Sequence, residues 1–236
     1  MITQFILPGT EPYFWSYIAT FAGQSIIAAM LVKHTISKKG SEKISFGSGF
    51  GALFMVGLLI VREILTFLFD FVITRFDYMQ YFIYPNAWYL KGIHLFSIVA
   101  PAAFLLGMDY QFFKFKFKGI LSFALIGLGI VYFFYEVQNV YDYVLYDSFT
   151  MLFALVAYIL IMVASIFMLV KNLSNPRCAI LILIGSILYI TKSLGSRYLS
   201  LMGPMIAFFV EAGFDLAGLA LMAYGVIKQD ITLEKY

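Results

Sequence analysis

The stretch "FTMLFALVAYILIMVASIFMLV", Phe149 to Val170, runs for 22 residues without a charge. As a helix it would be about 33 Å long, enough to cross the roughly 30 Å of hydrocarbon in a bilayer. A barrel strand is shorter and alternates polar with apolar residues, whereas this run is apolar on every side. Similar runs recur through the chain. Of its 236 residues 62% are hydrophobic and only 12% charged, against roughly 25% charged in an ordinary soluble domain. The composition reads as an integral membrane protein and leaves no segment for a soluble domain.

Working outward from that run gives seven expected spans, 13–33, 46–72, 88–108, 119–135, 149–170, 178–200 and 204–227. The fold expected is all-α, a single seven-helix transmembrane bundle over residues 1–236. The first span is expected to remain as helix one, because Glu11 and Pro12 precede it with neither a basic stretch nor a small-residue cleavage site.

The connections set the orientation, since Lys and Arg of short loops stay on the cytoplasmic side. "KHTISKKGSEK" (Lys33 to Lys43) and "DYQFFKFKFKG" (Asp109 to Gly119) are basic, Lys171 and Arg177 flank the fifth connection, and Lys228 and Lys235 end the chain. The fourth connection, "EVQNVYDYVLYDS" (Glu136 to Ser148), holds three acids and no base. The amino terminus is therefore expected outside, the carboxyl terminus inside, and the location is a plasma or cell inner membrane. Tyr13, Trp15, Tyr84, Trp88, Tyr89, Tyr141, Tyr143 and Tyr146 crowd the outer ends, where rings with a polar tip suit the headgroup layer.

Several chemistries find no support. The net charge of +3 is spread over four inner segments as topology requires, so nucleic acid is not an expected partner, and the Phe–Lys alternation in "FKFKFKG" suits an anionic bilayer surface. His34 and His94 are the two histidines and Cys178 the single cysteine, with no HExxH or Cys cluster for a metal. In "FGSGFG" (Phe46 to Gly51) no base is evident to activate Ser48, and Gly47 and Gly51 read as small residues for close helix packing. No enzyme activity, metal or cofactor is expected.

The expensive residues are the charges inside the spans, each worth about 2.5–3.5 kcal/mol near a helix centre on insertion scales. They are Arg62 and Glu63 on helix two, Lys91 with His94 on helix three, Lys192 and Arg197 on helix six, and Glu211 and Asp215 on helix seven. Counted at 1.5 Å per residue, Glu211 falls about 10 Å and Lys192 about 12 Å below the outer ends of their helices, Arg62 and Glu63 about 15 Å, and Asp215 near the midplane. Glu211 is thus expected to pair with Lys192, with Asp215 one turn away on the same face. Tyr189, Ser193, Ser196, Ser97, Gln24 and Ser25 extend the polar set. Four bases against three acids leave one base over, which favours an anionic or zwitterionic ligand.

Seven spans with an outer amino terminus, short loops, and a last helix bearing an acid and ending in bases resemble the microbial opsins, and "FDLAGLALMAYG" (Phe214 to Gly225) is similar to their seventh helix. In that family an Asp is followed four positions later by the lysine that binds retinal, whereas Asp215 is followed by Leu219; "WYLKGIHLFSIVAPAAFLLG" also lacks the family's counter-ion carboxylate. The resemblance implies the topology without covalent retinal. The same topology resembles the seven-span sensor modules of some signalling proteins. It implies a receptor or sensor in which a small ligand entering from outside rearranges the charge cluster, and the basic loops and tail pass the change to a cytoplasmic or membrane partner. The alternative is a proton- or ion-coupled transporter of a small solute, in which Glu211 or Asp215 carries the proton.

The orientation is tested by thiol labelling. Val144→Cys should react with an impermeant reagent in intact cells and Ser41→Cys only after permeabilisation; the reverse pattern would invert the topology.

Overall fold

The computed structural model describes residues 10–37, 48–114, 116–199 and 204–233. They form seven helices and, among the described residues, no strand: α1 (Glu11–Ser37), α2 (Ser48–Leu68), α3 (Asn86–Phe112), α4 (Ile120–Phe133), α5 (Val140–Val170), α6 (Pro176–Leu199) and α7 (Pro204–Leu233). Five of them, α1, α2 with the turn that follows it, α3, α5 and α7, are long and apolar enough to cross a membrane. The apolar α4, at 14 residues, spans only about 21 Å. Helix α6 has 24 residues and carries Arg177, Lys192 and Arg197.

Two boundaries differ from expectation for visible reasons. Helix α5 begins nine residues early, because the Asn139 side chain caps it by accepting a hydrogen bond from the Asp142 amide at 3.0 Å. The acidic stretch read as a loop is therefore the first two turns of a helix. Helix α3 runs on to Phe112, and Asp109 accepts from the amides of Phe117 (3.3 Å) and Gly119 (2.7 Å), tying down the tight turn into α4 where Gly119 adopts φ 67°.

The helices close a ring in chain order, α7 returning to α1, with α3 also touching α5 and α2 touching α7. Each inward face is divided along its length. On α1 the buried residues run Ser16, Thr20, Gln24, then Ile27 and Leu31, successive turns of one stripe that changes from polar to apolar. The same change occurs on α2 between Leu59 and Glu63, and on α7 between Leu219 and Asp215. The bundle thus has a polar half, at the amino-terminal end of α1, and an apolar half sealed by residues such as Leu31, Met55, Met108, Ile161, Ile182 and Val226.

Helices α6 and α7 pack backbone to backbone. A Cβ on Gly185 would stand 2.6 Å from the Gly218 carbonyl oxygen, one on Gly218 2.9 Å from that of Gly185, and one on Gly225 2.9 Å from that of Cys178. Between α2 and α3, Gly51 fills the small-residue role expected of it, since its Cβ would lie 2.9 Å from the Gly107 Cα. Gly47 and the Ser48 side chain lie outside the described residues. Cys178 is buried at the end of α6.

These contacts predict a contrast between glycines. Gly185→Ala should destabilise the detergent-solubilised protein by about 1–3 kcal/mol, as overpacking does. Gly213→Ala, which meets nothing within 4 Å, should be neutral or stabilising by up to about 1 kcal/mol. Equal thermal unfolding of the two variants would contradict the α6–α7 packing.

Candidate functional site

Beyond Leu68, helix α2 widens into one π-helical turn, Phe69–Ile73, in which the Thr74 amide and hydroxyl both donate to the Phe69 carbonyl at 2.9 Å. π turns of this kind recur at functional sites. Asp70 sits in it, accepting from the Tyr17 hydroxyl of α1 at 2.7 Å and from the Tyr81 hydroxyl at 2.8 Å. Tyr81 belongs to a short 3₁₀ helix, Tyr78–Phe82, in the connection to α3, so this segment is folded against the bundle end. Its amino terminus is capped by Asp77, which accepts from the Met79 amide.

Below this clasp lies a partly open cavity of about 390 Å³, walled by α1, α2, α3, α6 and α7 with Tyr143 of α5. Arg62, Glu63, His94, Lys192, Glu211 and Asp215 all line it, together with Asp70 and the rings of Tyr17, Phe69, Tyr81 and Tyr143. A second cavity of about 210 Å³ extends toward α5 and shares Arg62, His94, Ser97, Lys192 and Glu211 with the first. Asp147, Thr150, Tyr158 and Tyr189 complete its wall.

Charges within it are organised as pairs. Lys192 Nζ lies 2.9 Å from Asp215 Oδ1, and the Gln24 amide donates to Asp215 Oδ2 at 3.4 Å, so α6, α7 and α1 meet at one carboxylate that is 1% exposed. Arg62 pairs with its neighbour Glu63. His94 Nδ1 stands 3.8 Å from Asp147 Oδ1, too far for a direct hydrogen bond, and its ring meets Tyr146 edge-on. The Lys192 ammonium also lies over the Tyr189 ring, itself stacked on Tyr158 at 4.4 Å.

The expected Glu211–Lys192 pair is therefore corrected to Asp215–Lys192. The expected helix ends hold to within a residue, since α6 ends at Leu199 and α7 begins at Pro204, so the backbone depths of Lys192 and Glu211 match as counted. The long Lys192 stem carries its ammonium one turn further, to 2.9 Å from Asp215, while its charge still acts on Glu211. Glu211, one turn nearer the helix start and only partly buried, faces the cavity with no hydrogen bond or ion pair among the described residues.

Lys91 is not in the site. Its ammonium lies 4.9 Å over the Trp88 ring on the α4 side, where Trp88 meets Phe133. The side chains of Arg197, Ser193 and Ser196 lie outside the described residues, and Ser25 lines neither cavity. Tyr143 and Tyr146, expected at the headgroup layer, instead face inward: Tyr143 lines the larger cavity and Tyr146 is 3% exposed, stacked on Tyr132. Trp15, Tyr84, Trp88, Tyr89 and Tyr141 are exposed. Asp70 was overlooked in the sequence, although an acid within the apolar run "FLFDFVI" gives the same signal as the other charges inside the spans. With Lys91 removed and Asp70 added, the described lining holds two cationic residues, Arg62 and Lys192, against four carboxylates, which reverses the expected surplus of base.

Among the described residues no group of three or more His, Cys, Asp or Glu could hold a metal ion. No protein-family model, curated protein or solved structure matches the chain. What can be said of function rests on the site itself.

A double-mutant cycle tests the central pair. Asp215→Asn alone strands the Lys192 ammonium and should cost about 3–5 kcal/mol, while adding Lys192→Met should recover much of it. Glu211→Gln, which breaks no pair, should cost far less. Additive losses in thermal unfolding would disprove the Asp215–Lys192 pairing.

Proposed function

We propose that this chain is a seven-span receptor or sensor, amino terminus outside, that receives a small polar solute from the outer face of a plasma or cell inner membrane. The observation that carries the reading is the chamber of two adjoining cavities that share Arg62, His94, Ser97, Lys192 and Glu211 in their walls, in a bundle whose other half is packed and apolar. Keeping this many charged groups at hydrocarbon depth is costly, and intramembrane charges are by default a functional hypothesis. The chamber lies at the end where the connections lack the basic bias, which supports its facing outward.

The closed half also favours a sensor over a transporter. Leu31, Met108, Ile161, Ile182 and Val226 are each fully buried below the chamber, so a solute reaching Asp215 meets packed side chains rather than a second opening. The resemblance to the microbial opsins and to seven-span sensor modules extends to topology alone. Leu219, at the position of the opsin lysine, packs into the apolar core at 2% exposure. A solute bound in the chamber would act on the α6–α7 contact through Lys192 and Asp215, and a cytoplasmic or membrane partner would read the change from the basic end.

Cysteine accessibility tests this reading. On a Cys178→Ala background, Ser97→Cys should react with a charged, impermeant thiol reagent in intact cells, and Met108→Cys from neither side. Reaction of Ser97→Cys from the inner face as well would favour alternating access and hence transport. No reaction from either side would refute an open chamber.

A further inference from the structure

We propose that the solute held in this chamber is a small organic ammonium cation, seated between Asp70, Glu211 and the tyrosine rings around them; this rests on the chamber reading above. Two of the four carboxylates of the larger cavity already have a cation, Glu63 in Arg62 and Asp215 in Lys192. Asp70 and Glu211 have no ion pair among the described residues, although the Lys192 charge also acts on Glu211. Asp70 is held by the Tyr17 and Tyr81 hydroxyls, which supply dipoles and fix its orientation without cancelling its charge. Glu211 lines both cavities without an ion pair among the described residues. A largely buried carboxylate without an ion pair is expensive, and a bound positive charge lowers that penalty.

The wall decides which cation. Phe69 and Tyr81 meet edge to face at 4.9 Å, and Tyr143 follows at 6.3 Å from Tyr81, so the Asp70 end of the chamber is lined by rings. Aromatic faces attract ammonium groups, and aromatic cages serve quaternary ammonium recognition. Calcium and magnesium instead require a dense shell of oxygens, and no acidic group of that kind occurs among the described residues. A volume of about 390 Å³ is far larger than an inorganic ion needs, at about 30 Å³ per water, and accommodates a molecule with its own carbon skeleton. Arg62 and Lys192 in the same wall repel a second positive centre, which selects monovalent cations over diamines.

The test measures thermal unfolding of the full chain in an uncharged detergent with choline chloride, at ionic strength matched by sodium chloride. Sodium acetate and glycine betaine serve as anionic and zwitterionic comparisons. Choline should raise the unfolding temperature saturably by a few degrees while sodium chloride does not. Asp70→Asn and Glu211→Gln should each weaken the apparent affinity about tenfold. Tyr81→Phe, which keeps the ring, should weaken it less than Tyr81→Ala. Should Asp70→Asn fail to fold, protection of Ser97→Cys by choline against a cationic thiol reagent, lost in Glu211→Gln, gives the same decision. If acetate or betaine stabilises and choline does not, the ammonium assignment is wrong and the chamber stands. Equal effects of sodium and choline, or unchanged choline affinity in both carboxylate variants, would also overturn it. Absence of any solute effect, with Ser97→Cys inert from outside, would remove chamber and ligand together.

Discussion

The ion pair between Lys192 and Asp215 is the constraint around which the rest of the molecule is arranged. A carboxylate that is 1% exposed inside a lipid-embedded bundle cannot stand alone, so the ammonium of α6 and the Gln24 amide of α1 are brought to it. Bringing them there fixes the rotation of three helices about their axes. Once Asp215 points inward, Leu219, Met222 and Val226 follow on the same face and build the apolar half.

The two halves answer different demands. In the apolar half association rests on close packing and on small residues, because lipid tails offer no hydrophobic incentive for helices to meet. Hydroxyls that fall there are satisfied within their own helix, Ser165 donating to the Ile161 carbonyl and Ser186 to that of Ile182, both at 2.8 Å. In the polar half the groups reach across helices, as Tyr17 does from α1 to Asp70 and Lys192 from α6 to α7. Strength of packing therefore lies at one end and chemistry at the other.

Much of this was legible in the sequence. Hydrophobic runs disclosed the helices, and the rarity of charge within them led to Arg62, Glu63, His94, Lys192, Glu211 and Asp215, which do share one cavity. What was missed has physical causes. The start of α5 reads as a loop because hydropathy falls over "VYDYVLYDS", yet those polar side chains have an interior to face: Tyr143 and Asp147 line the chamber. Lys91 looked like a member because depth was known and azimuth was not; its stem carries the ammonium to Trp88 on the opposite side. Asp70 carried the same signal, an acid inside an apolar run, and was passed over; what the sequence does not show is the π turn that holds it at the end of α2. The salt-bridge partner was misassigned because depth was counted along the backbone, whereas the Lys192 side chain is long enough to pass the level of Glu211 and reach Asp215 one turn away.

The glycine contacts between α6 and α7 carry a mechanical consequence. Gly185 and Gly218 each lie against the other's carbonyl, with Met222 and Tyr189 packed beside them, and neither glycine has a side chain of its own to give way. The two helices are therefore closely set with respect to each other over that stretch. The same closeness recurs at Gly225, where a Cβ would stand 2.9 Å from the Cys178 carbonyl oxygen, so a displacement at the Lys192 end moves the pair together. The pair behaves as a single strut, and its compliance lies at its edges, where α1 and α5 bear on it through ordinary side chains.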